Sequence, residues 1–426
     1  MTAVKTDKLL TDPFLQNPTH DAVSVVWFTE FAGTTHAVVY GPSGQPTRTL
    51  AHTQQLSRMG EDKDSKLPHL RPGDTLAVTT PRAIWRHEAR LSGLTPGVRQ
   101  PYQVISTRED GTVIESAQFS LAPAPPVGQG LKILLTSDHQ LMPMTAANLQ
   151  KVAETVGQVD GVFLAGDLVN VPDRASEWFD DARGGAFFPC LQGRASFALE
   201  RAGKTTTYTG APIIQNAPLF PAVGNHEVMG RYAPTTSLNA QFNDPIPWAA
   251  ANQLYQQYAD TFNPNNSPAV KRQWLKNNSF NIDAYEEIFS LPAHQRPDGE
   301  KSQRYYATTF GDVRLVSLYV TQIWRAPSLA PNTRGRYREQ QSATDNPTQW
   351  GYGQHIFEGI HQGSPQYNWL KKELASKAFQ QAKYKIVMLH HPPHTLGGNI
   401  VPAFTNPVRV FDRTADGAVT AVRYEY

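Results

Sequence analysis

The chain has 426 residues, 40% hydrophobic, 10% aromatic and 18% charged, which is too long for one ordinary domain and rich enough for a sizeable core. Lys+Arg 39 against Asp+Glu 37 leaves a formal net charge of +2, so bulk charge carries no nucleic-acid or membrane-surface signal. The single cysteine, Cys190, excludes an intrachain disulfide, and no apolar run nears the roughly 18 residues of a membrane span. With no apolar leader after Met1-Thr2-Ala3-Val4-Lys5, a soluble, cytoplasmic protein is expected.

Residues 20–121 read as all-β. Strand-like runs are Ala22 to Thr29, His36 to Tyr40, Thr75 to Thr79, Glu88 to Leu91, Tyr102 to Ser106 and Ala117 to Leu121, separated by turns such as Gly41-Pro42-Ser43-Gly44 and Glu109-Asp110-Gly111. Short strands at this spacing predict a β-sandwich of immunoglobulin or fibronectin type. The segment Leu94-Thr95-Pro96-Gly97 with Tyr102 after it resembles the E–F corner of a fibronectin type III module. Residues 122–130, rich in Pro and Gly, read as a linker that cannot carry a strand ladder.

From 131 to 426 strands alternate with helical stretches, the pattern of an α/β domain. Helices are predicted from Thr145 to Gly157 and from Tyr367 to Phe379, and a buried strand from Val313 to Val320. The Pro-, Asn- and aromatic-rich stretches 172–217 and 230–304 read as irregular insertions over an active rim.

Four polar clusters each close an apolar run. Ser137-Asp138-His139-Gln140 follows Lys132-Ile133-Leu134-Leu135, and Gly166-Asp167-Leu168-Val169-Asn170 follows Gly161-Val162-Phe163-Leu164-Ala165. Gly224-Asn225-His226-Glu227 follows Leu219-Phe220-Pro221-Ala222-Val223, and His390-His391-Pro392-Pro393-His394 follows Lys385-Ile386-Val387-Met388-Leu389. Apolar runs of this length read as buried strands, and ligands in α/β sheets bind beyond the strands' carboxyl ends. Carboxylates, a carboxamide and imidazoles converging on one rim form a metal-ligand set suited to Mn, Fe or Zn.

In this order the clusters resemble the calcineurin-like metallophosphoesterase superfamily, with its Asp-x-His or Asp-x-Gly, Gly-Asp, Gly-Asn-His-Asp/Glu, Val-x-x-His and Gly-His-x-His motifs. The sandwich ahead of them resembles the N-terminal domain of purple acid phosphatases. The resemblance implies a four-layer α/β/β/α catalytic domain over 131–426 and two divalent or trivalent metal ions. Asp138 would ligate the first metal, Asp167 would bridge both, and Asn225 and His390 would ligate the second. It casts His226 as the catalytic imidazole that contacts the phosphate and assists the leaving group, with His391 and His394 as candidate substrate-binding residues. The implied activity is hydrolysis of a phosphate mono- or diester by a metal-bound hydroxide, without a covalent intermediate.

Three departures stand beside the resemblance. The sequence carries no Gly-His-x-His, so a catalytic domain incomplete at its C-terminus is expected; a ligand recruited from elsewhere, such as His394, and a degenerate site are the alternatives. Gln140 stands where the family has His or Gly, as a weak oxygen ligand, a group behind the ligands or a helix-start residue. Asn170 stands where purple acid phosphatases carry a Tyr, so no purple colour is expected. The alternative to an enzyme is a non-catalytic binding or scaffold protein that keeps the fold with a degenerate site.

Overall fold

The computed structural model describes residues 8–42, 44–68, 76, 78–245, 248–296, 301–320, 360, 362–391 and 408–425. Among the described residues, eleven short strands precede residue 122: β1 (Phe14–Thr19), β2 (Ala22–Thr29), β3 (Thr35–Tyr40), β4 (Thr47–Leu50), β5 (His52–Gln55), β6 (Gly60–Glu61), β7 (Thr80–Pro81), β8 (Trp85–Leu91), β9 (Gln100–Thr107), β10 (Val113–Glu115) and β11 (Phe119–Leu121). Nine of them form one sheet in the order β1-β2-β8-β5 and a second in the order β10-β9-β3-β4 with β11 on β9, and β6 and β7 pair as a separate ribbon. The alternation of side chains along a strand explains why β2 is buried throughout. Val23, Val25 and Trp27 face Val38, Tyr102 and Val104 of the second sheet, while Val26 and Phe28 face the core of the following domain.

Two elements differ from the sequence reading. Leu76, Val78 and Thr79 lie outside any strand; only Thr80 and Pro81 pair, with Glu61 and Gly60, because Pro81 has no N–H to extend a ladder. Conversely β1 forms although it contains Asn17 and Pro18, which a sheet edge and an irregular register between Gln16 and Thr19 accommodate. This strand reaches forward in the chain. Leu15 N donates to Ile214 O at 3.0 Å, and Gln16 accepts from Ser290 N at 2.7 Å.

The second part is α/β. Strands β12 (Ile133–Thr136), β13 (Gly161–Leu164) and β16 (Leu219–Pro221) run parallel. Strands β19 (Tyr306–Phe310), β20 (Val313–Ser317) and β21 (Tyr384–Met388) form a second, mixed sheet. Phe220 and Phe310 meet edge-on at 5.3 Å between the two sheets. Helix α1 (Thr145–Val156) buries Ala146 and Leu149 with the first sheet, and α8 (Pro365–Leu374) and α9 (Lys377–Gln381) set Trp369, Leu370 and Phe379 against Val316 and Leu318. The result is the α/β/β/α layering expected from the resemblance. The single helix predicted over 367–379 is two, because Ser376 caps a new start by accepting from Phe379 N at 3.1 Å. The strands β12 and β21 are less buried than expected: Leu135 is 70% and Val387 45% exposed, since each strand lies at the edge of its sheet.

The stretches read as irregular insertions are largely structured. Helices α2 (Ala175–Phe179) and α3 (Phe187–Leu191) and the hairpin β14 (Phe197–Arg201) with β15 (Lys204–Tyr208) fill the first. Helices α4 (Leu238–Phe242), α5 (Trp248–Phe262), α6 (Pro268–Asn277) and α7 (Asp283–Ile288) and the two-residue strands β17 (His294–Gln295) and β18 (Lys301–Ser302) fill the second. The aromatics of the first make a wedge rather than a rim. Phe188 packs at 5.1 Å from Phe14, 5.4 Å from Phe28 and 5.5 Å from Phe179, so it joins the sandwich to the α/β core. Apolar rings gain more from burial between two sheets than from a loop in water. The segment 122–130 is pinned as well: Ala124 N donates to Thr19 O at 2.8 Å, and Gly128 N to Asp312 Oδ1 at 2.9 Å. A hairpin of β22 (Val408–Arg413) and β23 (Val419–Glu425) completes the described elements. Among them no helix is long and apolar enough to cross a membrane.

Candidate metal centre

Three strand ends build the site. Asp138 follows β12, Asp167 follows β13 and His390 follows β21, and one donor atom of each lies within 4.8 Å of the others. Both aspartates hold left-handed backbone angles, φ 54° at Asp138 and 57° at Asp167, as does Gln140 at 37°. Such angles are uncommon outside glycine and cluster at functional turns. Parallel pairing of β12 with β13 sets the two aspartates side by side, Thr136 opposite Leu164 being the last matched pair.

Asp167 is the centre of the arrangement. It is buried, its Oδ1 lies 3.3 Å from His390 Nε2 and accepts from His226 N at 3.0 Å, and its Oδ2 accepts from Gln140 Nε2 at 3.0 Å. Burial pushes its carboxyl up, but the hydrogen bond and charge of His390, with His226, outweigh this and hold it below the ordinary carboxylate value. Burial conversely pulls His390 down, while Asp167 and the Ala165 carbonyl, 2.8 Å from Nδ1, raise it to about 9. The bond to Ala165 fixes the ring so that Nε2 faces the carboxylates.

The other sequence candidates fall around this centre. His226 and Asn225 sit in a single helical turn, Asn225–Glu227, directly after Gly224. His226 Nδ1 lies 2.7 Å from the Asn170 carbonyl, so that nitrogen carries the proton. Asn170 uses its side chain inward, Nδ2 donating to Gln140 O at 2.8 Å. His391 is half-buried with its ring 4.6 Å from that of His390, and burial, then the His390 charge, lower it to about 4. His139 is buried apart from the donors, bonded to Thr136 Oγ1 at 3.1 Å and beside Phe187 at 6.0 Å. His394 lies outside the described residues.

Two supports were not anticipated as such. Glu227 is fully buried and accepts from three backbone N–H groups: Gly224 at 2.6 Å, Asp167 at 2.9 Å and Leu168 at 2.7 Å. Burial and the Asp167 charge push it up to about 7, and those three bonds pull it back. Its place at the end of Gly-Asn-His-Glu was the available signal. Gly224 is required by contact: a Cβ there would stand 2.3 Å from Asp167 Oδ1 and 2.5 Å from Asp167 N. Glu177, whose Oε2 accepts from Asn170 N at 2.6 Å and Val171 N at 2.9 Å, has no local sequence signal at all.

Two carboxylates and an imidazole at the carboxyl ends of strands, with further amide and imidazole groups around them, form a donor cluster that could hold a metal ion in a four-layer fold. The sequence profile of the calcineurin-like phosphoesterase family matches residues 131–413, and the chain belongs to that family. Among solved structures, the chain is similar to the purple acid phosphatase PPD1 from yellow lupin (Lupinus luteus) seeds, with 18% identity and a TM-score of 0.48 over 88% of this chain and 50% of that one. The chain thus spans half the length of that structure. It is also similar to the archaellum periplasmic stator protein FlaG from Sulfolobus acidocaldarius, with 16% identity and a TM-score of 0.14 over 25% of this chain and 93% of that one. No curated protein matches the chain.

Proposed function

We infer that the chain is a metal-dependent phosphoesterase that hydrolyses a phosphate mono- or diester. The observation that carries this reading is the convergence of Asp138, Asp167 and His390 donors within 4.8 Å at three strand ends. That donor set fits a divalent cation: oxygen and imidazole ligands, one carboxylate exposed and one buried, with the imidazole already oriented by a backbone carbonyl. Asp138, Asp167 and His390 would hold metal, with Asn225 beside them, in a centre of two ions drawn from Mn, Fe and Zn. When bound, such ions polarise the phosphoryl group and acidify a water for direct attack.

The chain's own groups do the rest. Asp167 keeps its negative charge inside a buried site, which attracts cations and favours a proton on the neighbouring Glu227 carboxyl. Glu227 holds the backbones of Gly224, Asp167 and Leu168 against one another, fixing two of the motifs as one unit. His226, whose Nδ1–H is held by Asn170 O, serves as the group that meets the phosphate through Nε2; in the imidazolium form Nε2 carries a second proton, which passes to the departing oxygen and leaves the ring neutral. His391, next to His390, lines the substrate side.

The test is hydrolysis of p-nitrophenyl phosphate and bis(p-nitrophenyl) phosphate by metal-loaded protein, with Asp167→Asn alongside. Turnover that needs added metal and disappears in the variant is expected. Full turnover in Asp167→Asn overturns the reading. A second reading, a binding or scaffold protein with a degenerate site, is favoured by one observation: the Gln140 amide donates to Asp167 Oδ2, an oxygen that a bridging role needs. Under it, neither ester is hydrolysed by metal-loaded protein.

A further inference from the structure

The carbonyl that orients His226 is itself held by a chain of buried charges that begins beside the β6–β7 ribbon of the N-terminal part. Asn170 O accepts from His226 Nδ1 at 2.7 Å. The peptide group on either side of it is fixed because Asn170 N and Val171 N both donate to Glu177 Oε2, at 2.6 and 2.9 Å. Glu177 Oε1 accepts from Arg174 Nη1 at 2.7 Å, and Arg174 Nη2 reaches Asp62 Oδ1 at 3.1 Å and Oδ2 at 3.3 Å. Asp62 lies 112 residues earlier, in the loop after β6. Its oxygens also accept from Leu238 N at 2.7 Å and Asp64 N at 3.0 Å, so the far end of the chain is fixed too.

The backbone repeats the connection. Gly60 N donates to Asp173 O at 2.9 Å and Gly60 bridges to Arg174, so β6 adds a short rung to the loop that leaves the metal site. Asp62 and Glu177 are each 2% exposed and Arg174 5%. In such a dry setting, charge-assisted bonds are strong and directional, and losing one partner strands the others. A network of this kind needs no second domain to be merely structural; here it ends on the one carbonyl that selects the His226 tautomer.

We propose that Asp62, Arg174 and Glu177 are positioning residues of the active site, through which the β6–β7 ribbon of the N-terminal part fixes the tautomer and orientation of His226. The proposal rests on the reading of His226 as the imidazole that assists the leaving group. By keeping the proton on Nδ1, the strut reserves Nε2 for chemistry. The ribbon is then part of the catalytic apparatus rather than an appended module.

The experiment uses the full chain labelled with 15N-histidine, as wild type, Arg174→Met, Arg174→Lys and Asp62→Asn. Long-range 1H–15N spectra read the His226 tautomer, and steady-state kinetics on p-nitrophenyl phosphate separate kcat from KM. Wild type should show His226 protonated on Nδ1, and Arg174→Met a mixture that includes the Nε2 form. In that variant kcat should fall about ten- to hundredfold with KM nearly unchanged. Arg174→Lys should recover part of both signals. Should Arg174→Met fail to fold, Asp62→Asn decides, since it keeps an oxygen for Leu238 N while removing the negative charge that faces Arg174. An unchanged tautomer in the folded variants overturns the proposal, whatever their stability. Absence of turnover in wild type overturns the phosphoesterase reading instead, and the tautomer alone then decides the strut.

Discussion

Gln140 donates its Nε2 hydrogen to Oδ2 of Asp167 at 3.0 Å, which places an amide where the buried carboxylate turns its second oxygen. A donor in that position competes with a cation for the same lone pairs. An imidazole there would offer a nitrogen lone pair instead.

Gln140→His should therefore bind divalent metal about tenfold more tightly than wild type, in the range by which groups around a metal site tune affinity. Equilibrium dialysis with elemental analysis measures this directly. Equal metal content in the two proteins at every free concentration would show that the amide does not compete.

Asp173 supplies a pH dependence away from the metal centre. Burial, then the charges of Asp283 and Glu287, against the pull of Arg58, raise its carboxyl from the ordinary 3.8 to about 8. A raised folded pKa means that its contribution to stability is complete below pH 3.8 and is lost as pH climbs through about 8. Asp173→Asn should thus gain on wild type as pH rises, by on the order of 5 kcal/mol across that window, at about 1.4 kcal/mol per pKa unit. Urea denaturation of both proteins at a series of pH values checks it; parallel stability curves would refute it.

Arg82 joins the sandwich to α2 and its flanks. Its guanidinium meets Asp180 with two bonds, at 2.8 and 2.6 Å, Glu61 at 3.0 Å and Glu30 at 2.8 Å. Glu61 is 3% exposed, so removing the cation leaves a buried carboxylate uncompensated. Arg82→Ala should cost about 3–5 kcal/mol, whereas a purely superficial bridge would cost under about 1 kcal/mol. The denaturation midpoint distinguishes the two.

The aromatic wedge gives a packing prediction. Phe188 is fully buried among Phe14, Phe28 and Phe179. Phe188→Ala should lose about 3–5 kcal/mol. If the two parts were independent, one transition would shift and the other would stay; a shared core predicts that calorimetry shows both moving together.

Much of this architecture is legible locally. The runs ending at Leu135, Ala165, Val223 and Leu389 announce strands because apolar residues in short blocks, closed by Gly or a polar residue, have few other ways to satisfy their backbones. The same holds for β2, found from Ala22 to Thr29 as read, and for α1, which begins at Thr145. Where local pattern failed, a partner distant in the chain had changed the balance. Phe14–Thr19 pairs as an edge strand despite Pro18, and the aromatic stretch around Trp178 and Phe188 goes into the core because Phe14 and Phe28 wait there.

By itself, then, the sequence determined the strands, their polar ends and the residue types available to hold a metal, since each depends on neighbours a few positions away. Only the tertiary structure decided that Gln140 would face Asp167, that Glu227 would tie two motifs together, and that Asp62 would reach Arg174 across 112 residues. Periodicity reports which face of an element is buried, whereas a buried charge is placed by whatever opposite charge the completed fold brings to it.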